Sequence, residues 1–501
     1  MPDTVLGDIA AFPAQGQAPA RNARAKSYYK MRTRTTGPLC PLLISAMRRP
    51  VIVTGIVILL AACACFLLYP TASWLPRIGF LQAQGRIPTR PYLNMPDTAR
   101  GEMPRLLSQT GAFSDVRLMT PAKGLLPYNL IVAFWSDGAD KMRYVAIPDG
   151  KVGFSSDGEW TFPNGTVFVK TFVLPTDVTQ PQTRRRLETR LLVIGRDGRP
   201  YGVTYKWRAD LSDAELVAAG GRNEDIVVRG DTGTRTQTWS YPSRENCLAC
   251  HNARTAGQLG PKTRQMNMVI AYPGGTTENQ LKHWNDLGLF SPALDDRQIA
   301  LYPTLARADN ARRSLEDRAR SFLDANCAQC HRPRGTVASF DARYQTPLAR
   351  QNLIDGPILI NEGLDHPHVI APHDPWRSMI IRRTNTIDDT RMPPVARHTI
   401  DEKDVAMLKQ YILSLPGRDV LAPPSLSPAG GEFRKPVTVA LQSPDAGALI
   451  HYTTDGSEPG ASDPVYRKPI RIEGPTVLRA RAIAEGKTNS IVVQDTYIVG
   501  P

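Results

Sequence analysis

Four of the seven cysteines fall into two copies of one five-residue pattern, and that pattern constrains the chain more than any other feature. Cys247-Leu248-Ala249-Cys250-His251 and Cys327-Ala328-Gln329-Cys330-His331 each place two thiols three residues apart, with an imidazole directly after the second. The other three cysteines, Cys40, Cys63 and Cys65, all precede residue 70. Two thiols and one imidazole on one short turn can meet the two vinyl groups and the iron of a single haem. The pattern therefore predicts two covalently bound haem c groups, attached at Cys247 and Cys250 and at Cys327 and Cys330, with His251 and His331 on the irons. The rival chemistries fit less well. A thioredoxin-like dithiol does not call for a histidine after it twice, and a zinc site spanning both cysteine pairs leaves His251 and His331 unexplained.

Export is the next expectation, because such groups are attached outside the cytoplasm. Val51 to Tyr69 is an uncharged run of 19 residues, preceded by Arg48 and Arg49 and closed by Pro70. At about 1.5 Å per residue it just spans a bilayer core of about 30 Å. The basic flank puts the chain beyond residue 70 on the periplasmic side of a bacterial inner membrane, anchored by an N-terminal helix. A cleaved signal is the competing reading, and Leu60-Ala61-Ala62-Cys63 also resembles a lipoprotein box. Met47 with Arg48 and Arg49 reads as a complete export signal, which leaves 1–46 as a disordered or mis-assigned extension and 47–70 as the anchor.

The net charge is +14, and the first 50 residues carry 8 Lys/Arg against 2 Asp/Glu. The remainder is mildly basic and holds no nucleic-acid motif, so nucleic acid is excluded as a partner. A mildly basic surface suits an acidic redox partner or anionic lipid.

At 501 residues the chain is multidomain. Over 90–240, the runs Leu130–Trp135, Thr166–Phe172, Leu187–Gly195 and Tyr201–Trp207 alternate with Asp-Gly and Asn-Gly turns, which predicts an antiparallel β-rich domain. The first Cys/His segment lies in 241–310. Helices are expected over 276–290, over 314–326 behind a Ser314/Asp317 capping box, and from Asp401 to Leu415. After Pro423-Pro424 the period changes to two, so 423–501 reads as a small β-sandwich.

Residues 311–417 resemble a class I cytochrome c, on the strength of the helix leading into Cys327, the Met392-Pro393-Pro394 loop and the last helix. The resemblance implies a mainly α domain with His331 and Met392 on opposite sides of the iron. His366, His368 and His373 stand as alternatives to Met392. At the first segment, Met268 or Met266 is the nearest thioether and His283 a further candidate, alongside a vacant position. Phe134 to Lys141, Trp160 to Thr166 and Asn326 to His331 further resemble a group of bacterial dihaem cytochromes described mainly by sequence. The tail resembles the Fn3-like C-terminal domain of chitobiase and β-hexosaminidase enzymes, through Ile450 to Pro459, Tyr466, Pro469-Ile470 and Leu478 to Ala482. That module brings no catalytic carboxylates. The resemblance implies carbohydrate contact or a spacer between the cytochrome and the membrane, with the two weighted equally.

Together these features lead to the expectation of an anchored dihaem cytochrome that passes electrons between redox partners, such as a periplasmic dehydrogenase or a quinol-linked complex. The alternative is a dihaem peroxidase or oxidase with an open first haem, or the cytochrome subunit of a dehydrogenase.

Overall fold

The computed structural model describes residues 93–500, apart from 178, 181, 231–232, 253–256, 336–338 and 396. Its centre is an antiparallel sheet in the order β1 (Leu126–Pro127), β2 (Asp140–Ala146), β3 (Val167–Pro175), β4 (Arg184–Ile194), β5 (Pro200–Trp207) and β6 (Ala214–Leu216). Strict alternation divides its two faces. Tyr144, Val169, Leu191, Val203 and Tyr205 point to one face and bury against Leu107, Phe113 and Met119 from the preceding segment. Val145, Phe168 and Leu192 point to the other, where Trp160, Trp284 and Phe290 complete an aromatic cluster. The ring centroids of Trp160 and Phe290 lie 5.0 Å apart, edge to face.

Along this second face the same register lines up charges. Arg143 stands opposite Lys170, and Lys170 stands opposite Arg190. Three cations thus form one row across β2, β3 and β4, an arrangement that sheets normally avoid. A two-stranded ribbon, β7 (Arg222–Gly230) and β8 (Gly233–Tyr241), comes after the sheet and leads directly into helix α1 (Arg244–Cys250).

Helix α1 lies on β5 because Gly202 has no side chain. A Cβ built there would come 2.7 Å from the Cys247 Cβ and 2.9 Å from its sulfur. The later helices are α2 (Gln280–Asp286), α3 (Leu315–Asn326), α4 (Met379–Thr384) and α5 (Glu402–Ser414). Helices α3 and α5 pack through Ala319, Phe322, Leu323, Leu408, Tyr411 and Ile412. Ser314 and Asp401 cap them, each accepting the amide three residues on.

Two expectations about the architecture are corrected. Residues 311–417 are not a mainly α domain. Only α3 and α5, with 12 and 13 residues, exceed two turns. The eight prolines between 332 and 395 remove backbone donors and hold most of the intervening chain in turns. Among the described residues 15% are helical and 31% are in strands, so this part of the chain is β-rich. The N-terminal membrane helix, with the anchored periplasmic placement built on it, is likewise not supported. No helix among the described residues is long and apolar enough to cross a membrane, and Val51–Tyr69 lies outside them.

Leu130 to Trp135 is irregular, although its composition predicts a strand. Its polar backbone is met by a side chain instead. Gln265 Oε1 accepts from the Val132 amide at 2.9 Å, and Gln265 Nε2 donates to the Val132 carbonyl at 2.8 Å.

The tail is a β-sandwich, as expected. One of its sheets joins Ser425–Ser427, Val437–Gln442 and Ile470–Ile472, and the other joins Gly431–Phe433, Val493–Val499, Thr476–Ile483 and Leu449–Thr453. Val439, Leu441, Leu478, Ala480 and Tyr497 fill the space between them.

The close approach at Gly202 generates a prediction. Gly202→Val should push α1 off the sheet and lower stability by about 1–3 kcal/mol, read as a reduced urea midpoint.

Candidate functional site

Helix α1 owes its position to its cap as well as to Gly202. The Ser243 hydroxyl accepts the Asn246 amide at 3.0 Å, and Asn246 Oδ1 accepts the Ser243 amide at 3.1 Å. This reciprocal box fixes the start of the helix, and therefore the direction of Cys247, Cys250 and His251. Nδ1 of His251 lies 3.2 Å from the Gly257 carbonyl. Donation there leaves Nε2 with its lone pair. Burial, reinforced by Lys170, pulls the His251 pKa down to about 3, so the ring is neutral at pH 7.

The second segment emerges from the end of α3, where Cys327 and His331 continue the turn. His331 stacks on Phe340 with centroids 4.3 Å apart, and its buried Nδ1 has no partner among the described residues. Burial, then Arg383, lowers its pKa to about 4.

The two segments meet. Cys250 and Cys330 share a hydrogen bond that raises the first thiol and holds the second down to about 7. Burial pushes Cys327 up to about 12 and raises Cys247 as well.

A cavity of about 420 Å³ opens beside this meeting point. Cys247, Cys250 and His251 line one side. Ala325 and Gln329, which bracket Cys327, and Pro394 and Val395 line another. Arg143, Lys170 and Arg190 come from the sheet, joined by Lys141.

The remaining candidates are placed elsewhere. Met266 is fully buried in the aromatic cluster. Met268 is half-buried and spends its backbone on Met266 and Gln280. Neither lines the cavity. His283 is held by Glu278 at 2.5 Å and stacked on Tyr272. Met392 is half-buried, with its amide on the Arg383 carbonyl at 2.8 Å, which brings it near the residue whose charge reaches His331. His368 and His373 each have Nδ1 facing a backbone carbonyl, at 3.1 and 3.2 Å.

The expectation of two covalently bound haem groups is corrected by this arrangement. Instead of framing one space each, the segments touch through Cys250 and Cys330 and border a shared cavity. Among the described residues, no group of three or more His, Cys, Asp and Glu is placed to hold a metal ion. The chain presents one joint thiol–imidazole site.

Sequence reasoning missed the cations. Burial and then Arg190 and Arg143 lower Lys170 to about 7, and Lys141 is held well below its usual value chiefly by burial. The signal was present in the strand alternation, which puts Lys141 and Arg143 on one face, but the face itself could not be assigned without the partner strands. Also missed was Asp137, 2% exposed, which accepts the amides of His398 and Thr399 at 2.8 Å each. Its neighbour Trp135 donates its amide to Asn326 at 2.9 Å. These bonds join the stretch before β2 to the end of α3 and to the loop before α5.

A buried carboxylate secures the same junction from below. Asp324 lies 2.6 Å from Lys262 Nζ and 3.3 Å from Arg264 Nε, and takes the Tyr344 amide at 3.0 Å.

Residues 428–494 match the family model described as the chitobiase/beta-hexosaminidase C-terminal domain. That match covers the tail sandwich alone. No curated protein matches the chain.

The Asp324 cluster carries a prediction. Burial alone would raise its carboxyl, but Lys262 and Arg264 outweigh that and hold it below the usual value. A lowered folded pKa stabilises fully above the unfolded value of about 3.9 and is lost as pH falls through the folded one. Asp324→Ala should therefore cost about 3–5 kcal/mol at pH 7, and the gap between variant and parent in urea melts should narrow in acid below about pH 4.

Proposed function

We propose that the chain transfers electrons between redox partners, as the proteins its two Cys/His segments resemble do, and that the joint site is where it does so. The observation that carries this reading is the meeting of the segments. Residues 80 positions apart in sequence, Cys250 and Cys330, come within hydrogen-bonding distance. Buried neutral imidazoles flank the contact on both sides. The sheet, α1 and α3 hold these groups rigidly, which limits rearrangement on a change of charge. The partner is a protein with an acidic face, in keeping with the chain's net charge of +14.

The test is a redox titration of the purified full-length chain against a thiol/disulfide couple, followed by thiol alkylation and mass. Reversible exchange of two electrons and two protons is expected: the Cys250 and Cys330 thiols close to a disulfide as an acceptor is reduced and reopen as a donor is oxidised, with loss of the couple in Cys250→Ser and in Cys330→Ser. Unchanged circular dichroism of each variant shows that the fold persists. A folded parent chain that exchanges no electrons, or one whose exchange persists in both serine variants, overturns the proposal. Rates with an acidic partner protein should fall as salt is raised from low to physiological ionic strength.

A further inference from the structure

Three side chains from separate parts of the chain line up at one end of the cavity. Asp137 belongs to the turn before β2, Ser240 to the end of β8, and His398 to the loop before α5. The imidazole bridges the other two. Its Nδ1 lies 3.3 Å from Asp137 Oδ2, and its Nε2 lies 3.4 Å from Ser240 Oγ. Asp137 is buried, and its Oδ1 accepts the amides of His398 and Thr399 and the Thr399 hydroxyl. The carboxylate therefore grips the backbone beneath the imidazole as well as the ring. A proton kept on Nδ1 by that carboxylate leaves Nε2 with its lone pair toward Ser240.

Ser240 stands opposite Asn223 in the ribbon, and its hydroxyl donates to Asn223 Oδ1 at 2.7 Å. Rotation about the Cβ–Oγ bond turns that proton to Nε2. A nucleophile and its base often stand this far apart until a substrate is seated. Both Ser240 and His398 line the cavity, with Phe134, Pro394 and Val395 as apolar wall. Arg391 lines it too, and its buried Nε has no partner among the described residues. We infer that Ser240, His398 and Asp137 form a second reactive site, which transfers the acyl group of a small carboxylic ester to water.

In the first half, His398 Nε2 takes the Ser240 proton as Oγ bonds the ester carbonyl carbon. The bond from that carbon to the alkoxy oxygen breaks, and the leaving alcohol takes the proton from Nε2. Water then gives a proton to Nε2 as its oxygen bonds the acyl carbon. The bond to Oγ breaks, Nε2 returns the proton to Ser240, and the carboxylic acid leaves. Asp137 is a positioning residue that orients the imidazole, and Arg391 supplies a donor for the oxygen that gains charge. The inference does not depend on the electron-transfer reading, since it uses none of the cysteines.

The test is hydrolysis of p-nitrophenyl acetate and p-nitrophenyl butyrate by the purified full-length chain. Released p-nitrophenol is read by absorbance, and the acetyl group is located by acid quench and peptide mass. Saturable hydrolysis with the acetyl group on Ser240 is expected. Ser240→Ala and His398→Gln should each lower kcat/KM at least a hundredfold. Asp137→Asn keeps an acceptor oxygen for the two amides but sets an amide nitrogen against Nδ1. It should lower kcat at least tenfold, with KM changed less than threefold and circular dichroism unchanged. Hydrolysis no faster than with the heat-denatured chain overturns the inference, as does an acetyl group found on a cysteine or lysine in place of Ser240. So does a folded Ser240→Ala or Asp137→Asn chain that keeps the parent kcat.

Discussion

The joint site depends on a carboxylate that is not part of it. Asp137 sits in a left-handed turn, φ 50°, and its Oδ1 accepts the amides of both His398 and Thr399. Those amides belong to the loop before the last helix, more than 250 residues away in sequence. Its own carbonyl takes Gln237 Nε2 at 2.7 Å, from the ribbon that leads into α1. One residue thus fixes the ribbon, the sheet and the final loop relative to each other. Asp324 does the same beneath α3. These two anchors bracket the cysteine segments.

The sheet's second face also has a cost. Two unit charges about 5 Å apart repel by about 3 kcal/mol at an effective dielectric of about 20. Arg143, Lys170 and Arg190 are cross-strand neighbours, Glu188 and the Phe172 ring offset them, and burial with the two guanidinium charges lowers Lys170 to about 7. A fold that tolerates this must be stable for other reasons. The hydrophobic face behind the row, from Tyr144 to Tyr205, and the aromatic cluster beside it supply that stability.

Much of the local structure was legible in the sequence because short-range rules decide it. Ser314 and Asp401 mark their helices, and the period-two tail marks its strands. The expected strands within Val167–Pro175, Arg184–Ile194 and Pro200–Trp207 also form. The failures lie where long-range partners decide. Leu130 to Trp135 has strand composition, yet Gln265 satisfies its backbone from outside any sheet. The proline-rich stretch after His331 borders helices that fit a known frame, but its turns do not continue that frame. At the site, the cysteine spacing located the reactive groups but could not show that the two segments touch. That contact comes from Asn326, Trp135 and Gly202, which carry no chemical signature.

The tail sandwich is held to the body by Asp365, which bonds Arg377 and Arg481 at 2.8 Å each, while Arg377 also reaches the carbonyls of Asn489 and Ser490. A module fastened through a shared, partly enclosed carboxylate behaves as a bracket and not as a tether. The sandwich is therefore braced against the turn that carries Arg377, as a flexible linker alone would not brace it.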